Sequence, residues 1–331
     1  MEKYKAKKRI IVGGGAGYIG SSLVPQLIHA GHTVTVIDLL WFGNYLPKKT
    51  RVIKKDLFEI SRKELKEYDE FIFLAGVSND PMAHYNPRLN YLYNASLPAY
   101  LAYESKKAGI KRFIYGSSCS VYGNMAKMCT EKDTPNTSEP YGISKLQGEY
   151  GVLKNSDKTF STIIFRQGTV CGYSPRMRLD LALNTMVKNA IQNGQIVVNN
   201  PTIWRPICAM NDLVHAYELA IQAKPSINGI FNITSGNFQI QTMAKTIQKS
   251  IKLMLKKDIS IMVRHDKTNR DYRVSLAKSK KILKFKPVEN LPSLAKELIS
   301  KIADMSDFNN PKYYNIDTFK QINLHKQPVI K

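Results

Sequence analysis

A doubly wound α/β fold is predicted for this chain: a parallel sheet covered by helices on both faces, with a smaller lobe built mainly from the second half. Three observations predict it. Short apolar runs alternate with longer segments of helical periodicity through the first half. A glycine-dense corner, GGGAGYIG, separates the first such run from the first helix. A chain of 331 residues, 43% of them hydrophobic, can bury a full core, as one large unit or as two lobes.

In chain order, strands are expected at RIIVGG, TVTVID, RVIKKD, EFIFLAG, KRFIYGSS and STIIFRQG. Each is a short run rich in β-branched and aromatic residues. Helices are expected after the glycine corner and over NYLYNASLPAYLAYESKKAG and SKLQGEYGVLKN. Pro25 stands inside the first of them, where it should weaken or kink a turn. After about residue 175 the order is less regular, with a helix from about Arg178 to Asn193, short strands and then lysine-rich helices. No internal repeat or low-complexity linker divides the chain.

The glycine corner has a chemical reading. Gly14, Gly17 and Gly20 recur at a three-residue spacing, directly after a strand and at the start of a helix. The first permits a tight turn, the second lets backbone approach a pyrophosphate, and the third lets helix and strand pack closely. The N–H groups and dipole of the helix start favour phosphate charge. Asp38 ends the second strand, where a carboxylate can accept bonds from the adenosine ribose hydroxyls. No arginine follows it closely, so NAD is expected in preference to NADP. Strand, helix and acid agree on a dinucleotide site.

A second cluster carries acid–base chemistry. RFIYGSSCSVYG reads as a strand ending in small hydroxyl residues, and YGISK follows. Tyr141 and Lys145 are four residues apart and share one helix face. Lys145 can hold cofactor ribose while its charge lowers the phenol pKa of Tyr141, and a positive nicotinamide ring lowers it further. Ser118, at the strand end, can bond the same substrate oxygen.

Composition sets limits on other functions. The formal charge is +23, but the lysines are dispersed, many of them between Lys245 and Lys301. They lack the interleaved aromatics of a single-strand binder, so nucleic acid is not an expected partner. A polyanionic small substrate suits the same field. No apolar run approaches the ~20 residues of a membrane span, so no membrane insertion is expected. MEKYKAKKR has no apolar segment behind it and does not read as a secretion signal. Cys119, Cys129, Cys171 and Cys208 show neither metal-type pairing nor a disulfide framework, which fits reduced thiols and a cytoplasmic location. The six histidines lack ligand spacing, so no metal is expected.

GGAGYIG, SSCSVYG and YGISK together resemble the extended short-chain dehydrogenase/reductase family, specifically its NAD-dependent nucleotide-sugar epimerases and dehydratases. The similarity runs on through FRQGTVCGYSPRMRLDL, WRPICAMNDL and NRDYRVS, to about residue 300. It implies a Rossmann-type sheet with a smaller carboxy-terminal substrate-binding lobe, and a sugar nucleotide in the cleft between them. The division implied is 1–175 for NAD, 176–320 mainly for substrate with some elements returning to the sheet, and a tail over 321–331. It implies Ser118, Tyr141 and Lys145 as the catalytic set, and Tyr18, Ile19, Asp38, Asp56, Leu57, Ala75 and Asn94 as further cofactor contacts. Arg205 and Arg270 match arginines that hold the diphosphate in relatives, and their guanidinium forks suit adjacent phosphates. Arg176 and Arg178 lie in a segment that relatives use to cover the nucleotide. The resemblance also implies a homodimer through two long helices, near 88–108 and 140–155.

The departures from the family pattern narrow the reaction. Many relatives carry asparagine where this chain has Thr169, which also stands among the expected substrate contacts. The family's 4,6-dehydratases place an Asp-Glu pair where this chain has Cys119 and Ser120, neither of which shuttles protons as carboxylates do. The expectation is therefore a nucleotide-diphosphate-sugar 4-epimerase. A 4-dehydrogenase or 4-ketoreductase needs the same three residues, and a non-catalytic NAD-sensing protein is the alternative from another class. His84 lies near where relatives contact substrate, and Trp204 is read as packing.

Overall fold

Seven parallel strands cross the computed structural model of the chain, which describes residues 7–265 and 270–322. They are β1 (Arg9–Gly13), β2 (Thr33–Asp38), β3 (Arg51–Lys54), β4 (Glu70–Phe73), β5 (Arg112–Ser118), β7 (Ser161–Gln167) and β11 (Gly229–Ile233). Three smaller sheets use β6 (Met128–Cys129) with β14 (Arg273–Val274), β9 (Gln195–Asn199) with β13 (Ser260–Arg264), and β8 (Thr169–Cys171), β10 (Trp204–Ala209) and β12 (Gly236–Gln239). The helices are α1 (Gly20–His29), α2 (Arg62–Leu65), α3 (Asp80–Tyr85), α4 (Pro87–Tyr91), α5 (Leu97–Ala108) and α6 (Pro140–Leu153) in the first half. In the second half they are α7 (Ala182–Asn193), α8 (Met210–Gln222), α9 (Ile240–Leu255), α10 (Ala277–Ile282), α11 (Leu291–Ala303) and α12 (Asn315–Gln321). Among the described residues no helix is long and apolar enough to cross a membrane.

The large sheet has the order β11-β7-β5-β4-β1-β2-β3. The chain adds β2 and β3 on one side of β1, then returns to add β4, β5, β7 and β11 on the other. The carboxyl ends of β1 and β4 therefore flank a topological switch point, where open α/β sheets bind ligands. Both faces are covered, so the strands carry near-continuous apolar runs. Alternate residues divide between two cores: Ile10, Val12, Ile114 and Phe165 on one face, Ile11, Phe71, Phe73, Phe113 and Tyr115 on the other. On the second face the rings of Phe71 and Phe113 stack at 5.0 Å. Glu70, buried in β4, is paired by Lys8 and, at 3.7 Å, by Arg112.

Two elements differ from expectation. The helix expected over 90–109 is divided into α4, a π-helical turn over Leu92–Ser96, and α5. Pro98 explains the break: it has no N–H to offer Asn94, and its ring would crowd that carbonyl in a regular helix. The carbonyl of Asn94 instead accepts from the Tyr115 hydroxyl at 2.8 Å. The helix expected from about Arg178 starts at Ala182, because Arg178 is held in an extended segment by Asp180 at 2.8 Å and by Ser78 at 2.8 Å. Pro25 lies inside α1, which runs on to His29.

The chain's second half is not a separate body. β11 joins the large sheet beside β7, and α8 packs against α1. The tail expected over 321–331 lies outside the described residues beyond Ile322.

One buried ion pair ties α6 to the sheet. Glu149 accepts from Ser117 of β5 at 2.5 Å and from Arg166 of β7 at 2.7 and 3.0 Å. Both side chains are almost completely buried. Arg166→Met would strand the Glu149 charge in the interior, so it should destabilise the protein by about 3–5 kcal/mol. In urea unfolding, Glu149→Gln/Arg166→Met should recover at least half of that loss, since the amide keeps a partner for Ser117 and buries no charge.

Candidate functional site

The glycine corner meets the sheet where the strand order reverses. Gly14 has φ +77°, and a Cβ there would lie 2.4 Å from the backbone nitrogen of Ala75, so only glycine fits. At Gly17 a Cβ would meet only the Gly14 carbonyl oxygen, at 3.3 Å, and otherwise project into open space. That open cradle, at the amino end of α1, is the shape a pyrophosphate requires, so the residues present fit a dinucleotide. The Asp38 carboxylate is tied to the corner, accepting from Ala16 N at 3.0 Å and from Leu40 N at 2.7 Å. Burial pushes its pKa up, and those two backbone bonds hold it down. Each oxygen keeps a further lone pair for a ribose hydroxyl.

Above this corner lies a cleft of about 400 Å³, within the range of small-molecule sites. Gly14, Gly17, Tyr18, Ile19 and Gly20 line one end, and Ser118, Tyr141 and Thr169 line the other. Arg176, Arg178, Arg205 and Arg270 also reach its wall. Asp38, Asp56, Leu57, Ala75, Asn94 and Lys145 are not among its lining residues. Asp56 caps the turn at Phe58 and accepts from Tyr93 at 2.7 Å, while Leu57 and Ala75 pack on Gly13 and Gly14. Asn94 donates to the Val77 carbonyl at 2.7 Å, and its own Oδ1 is buried without a partner among the described residues.

The reactive end is built from β5 and α6. Pro140 opens α6, where its missing N–H costs nothing, and Tyr141 follows in the first turn facing Ser118. Lys145, one turn on, donates to the Gly116 carbonyl at 2.9 Å and lies 5.0 Å from the Tyr115 ring centre. Burial draws its pKa down to about 7, with Glu149 opposing. The electrostatics of Tyr141 are dominated by burial. It pushes the phenol up to about 12, and the main lowering influences are a hydrogen bond with Ser118 and the charge of Arg178. Lys145 is itself desolvated and points at Gly116, with its ammonium 6.0 Å from the Tyr141 ring centre.

The arginines are engaged by the protein. Arg178 pairs with Asp180, and Arg176 lies over the Phe42 ring at 3.9 Å while donating to Asn315 at 2.6 Å. Arg176 also acts electrostatically on Asp38, which puts it toward the glycine-corner end of the cleft. Arg270 pairs with Asp80 and donates to Ser120 at 3.2 Å, so it stands beside the reactive end. Arg205 donates to the carbonyls of Trp204, at 2.9 Å, and Arg270. His84 is outside the cleft, 3.0 Å from Glu139 on the surface. Cys119 is buried, its thiol pushed well up by desolvation and donating to the Arg166 carbonyl.

Sequence reasoning missed Phe42, Asp80, Tyr272 and Asn315, all of which line the cleft. SNDP, a cap-and-turn signal directly after a strand, marked Asp80. Nothing local marked Asn315, whose amide meets Ser78 at 2.9 Å across the cleft wall. Phe319 of α12 packs on Trp41 at 5.1 Å and stacks on Phe42 at 5.9 Å, so the last helix backs that wall.

Known proteins resemble this chain in sequence and in fold. The UDP-glucose 4-epimerase of Neisseria meningitidis serogroup C is 28% identical over 264 residues, covering 69% of this chain and 78% of that protein. UDP-arabinose 4-epimerase 1 of Arabidopsis thaliana is 29% identical over 267 residues, 69% of this chain and 63% of that protein. The structure of the UDP-glucuronic acid 4-epimerase from Bacillus cereus, in complex with UDP-glucuronic acid and NAD, superposes with a TM-score of 0.78 at 21% identity, covering 89% of this chain and 98% of that one. The NAD dependent epimerase/dehydratase family profile matches residues 10–234, a span that begins in the first strand and takes in the glycine corner, Ser118, Tyr141 and Lys145. This chain is a member of the NAD dependent epimerase/dehydratase family.

Proposed function

We propose that the protein is an NAD-dependent epimerase of a nucleotide-diphosphate sugar, acting at C4 through a transient 4-keto sugar. The observation that carries this reading is the meeting, in one cleft, of an open glycine cradle with Ser118 and Tyr141 over a buried Lys145. Bound NAD supplies a hydride acceptor and donor, and its oxidised ring adds a positive charge that draws the Tyr141 phenol down from about 12. Tyr141 takes the proton of the sugar C4 hydroxyl and returns it after the ketone has turned in the site. Ser118 bonds the same oxygen, and Lys145 steadies the cofactor ribose. Residues 1–175 serve the cofactor and 176–320 mainly the substrate. Arg205 and Arg270 serve the diphosphate and Thr169 the sugar nucleotide, while Arg176 and Arg178 support the wall over it. The 4-epimerase relatives support this reaction.

Dehydratase chemistry is disfavoured, because Cys119 is buried with a raised pKa and Ser120 is a hydroxyl held by Ser118 and Arg270. A 5,6-dehydratase, TunA, shares the fold at 20% identity and a TM-score of 0.80. A homodimer through α5 and α6 is supported by the exposed Tyr100, Tyr103 and Tyr150 on those helices. The four unpaired cysteines fit the reducing cytoplasm.

Three measurements test the reading. Tyr141→Phe should retain NAD, measured on the purified protein, while turnover falls ~100-fold or more. A near-native rate would remove Tyr141 from the mechanism. Asp38→Ala should weaken NAD by about 10- to 100-fold, the worth of charged hydrogen bonds, and narrow its advantage over NADP in direct titration. Equal binding of the two cofactors by the unaltered protein would contradict the role of Asp38. Mass spectrometry of hexose nucleotides after incubation should reveal a C4 epimer without loss of water and without net NADH formation. Stoichiometric NADH formation would indicate a dehydrogenase instead.

A further inference from the structure

The last described helix, α12, joins segments of the cleft wall that lie far apart in the chain. Asn315, its first residue, lines the cleft with Phe42, Ser78 and Arg176. Its amide is divided between two of them: Nδ2 donates to Ser78 Oγ at 2.9 Å, and Oδ1 accepts from Arg176 Nη2 at 2.6 Å. Its backbone N–H donates to Asp180 at 3.3 Å. One turn on, Phe319 stacks on Phe42 at 5.9 Å, and the guanidinium carbon of Arg176 lies 3.9 Å from the centre of that same Phe42 ring. Helix α12 thus grips Arg176 twice, by an amide at its edge and through the ring beneath it.

Arg176 is a held charge without a counter-ion of its own. It is 2% exposed, and no carboxylate forms an ion pair with it among the described residues. Asp180 acts on it, but both Asp180 oxygens are bonded to Arg178, at 2.8 and 3.0 Å. Burial, joined by the charge of Arg178, draws its pKa down to about 9. A desolvated cation so placed is costly, and an anion brought to the same wall offsets the cost. The surroundings put that anion at the glycine corner. Arg176 lines the cleft together with Gly14 and Gly17, and the ring beneath it, Phe42, belongs to the loop that leaves Asp38. Its charge favours the ionised form of Asp38. Such a field acts through a low-dielectric wall, so no nitrogen of Arg176 need be bared to the ligand. The diphosphate of a dinucleotide seated over Gly17 carries the charge that suits it.

We infer that Asn315 is a positioning residue for the cofactor: it holds the Arg176 guanidinium on the Phe42 ring, from where that charge stabilises the diphosphate of NAD in the glycine cradle. This goes beyond the epimerase reading and stands independently of it, because binding alone reads it.

The test titrates the full-length protein, freed of nucleotide, with NAD, ADP, adenosine and UDP. Asn315→Leu keeps the volume and removes both side-chain bonds. It should weaken NAD and ADP by about tenfold, the worth of a well-placed charge, and leave adenosine within about twofold. Asn315→Asp should give the same pattern by another route, since it keeps an acceptor for Arg176 but compensates its charge. In an Arg176→Met background Asn315→Leu should add no further loss, because the residue through which it acts is gone. A helix that merely stabilised the fold would weaken ADP and adenosine alike, and Arg176→Met would not mask its effect. Where thermal unfolding shows that an Asn315 variant has not folded, Arg176→Met decides alone, and it must weaken ADP more than adenosine. Equal losses on ADP and adenosine, a loss confined to UDP, or an undiminished effect of Asn315→Leu beside Arg176→Met overturns the role of Asn315.

Discussion

Glu149 holds the reactive helix to the sheet, and the geometry of the cleft follows from that attachment. Its carboxylate takes Ser117 from β5 and Arg166 from β7, so α6 is fixed against two strands at once. Tyr141 and Lys145 lie on the same helix, two turns and one turn earlier, and inherit its placement. Close packing reinforces the attachment: at Gly148 a Cβ would lie 2.3 Å from the Asn94 carbonyl oxygen. The same carboxylate favours the charged form of Lys145, whose pKa burial would otherwise take lower still. One acid thus serves position and electrostatics together.

The charges of the cleft are local in origin. The chain's +23 is spread over solvated lysines, whereas two of the four arginines at the wall are paired with carboxylates. Arg178 has Asp180 and Arg270 has Asp80, whereas Arg176 and Arg205 form no ion pair among the described residues. Burial then decides the titration of what lies between them. Tyr141 is pushed up and Lys145 is pushed down, each toward its neutral form.

What was legible in the sequence was what depends on spacing. The glycine corner, Asp38 at a strand end and the Tyr141–Lys145 interval are local patterns, and all occur where the fold brings a strand end to a helix start. The start of α7 was not legible, because the Arg178–Asp180 pair that keeps the preceding residues extended also needs Ser78. The π-helical turn needed both Pro98 and a hydroxyl from a distant strand, Tyr115, to take the freed carbonyl. The burial that raises the Tyr141 phenol was not legible for a related reason. Four-residue spacing places an ammonium near a phenol, but only the packed structure reveals that both are desolvated and that the ammonium points elsewhere.

The position of α12 has a bearing on how the molecule is assembled. Its Asn315 meets Ser78 over a separation of 237 residues, and its Phe319 leans on Trp41 and Phe42 from near the other end of the chain. Contacts of such range form late, since a long loop must close before they repay its entropy. During synthesis the first five strands and the glycine corner emerge well before residue 319, so the nucleotide groove exists for a time as an open trough. The aromatic backing of its wall arrives last. The wall of the nucleotide groove therefore depends on contacts that close only after the rest of the groove is built.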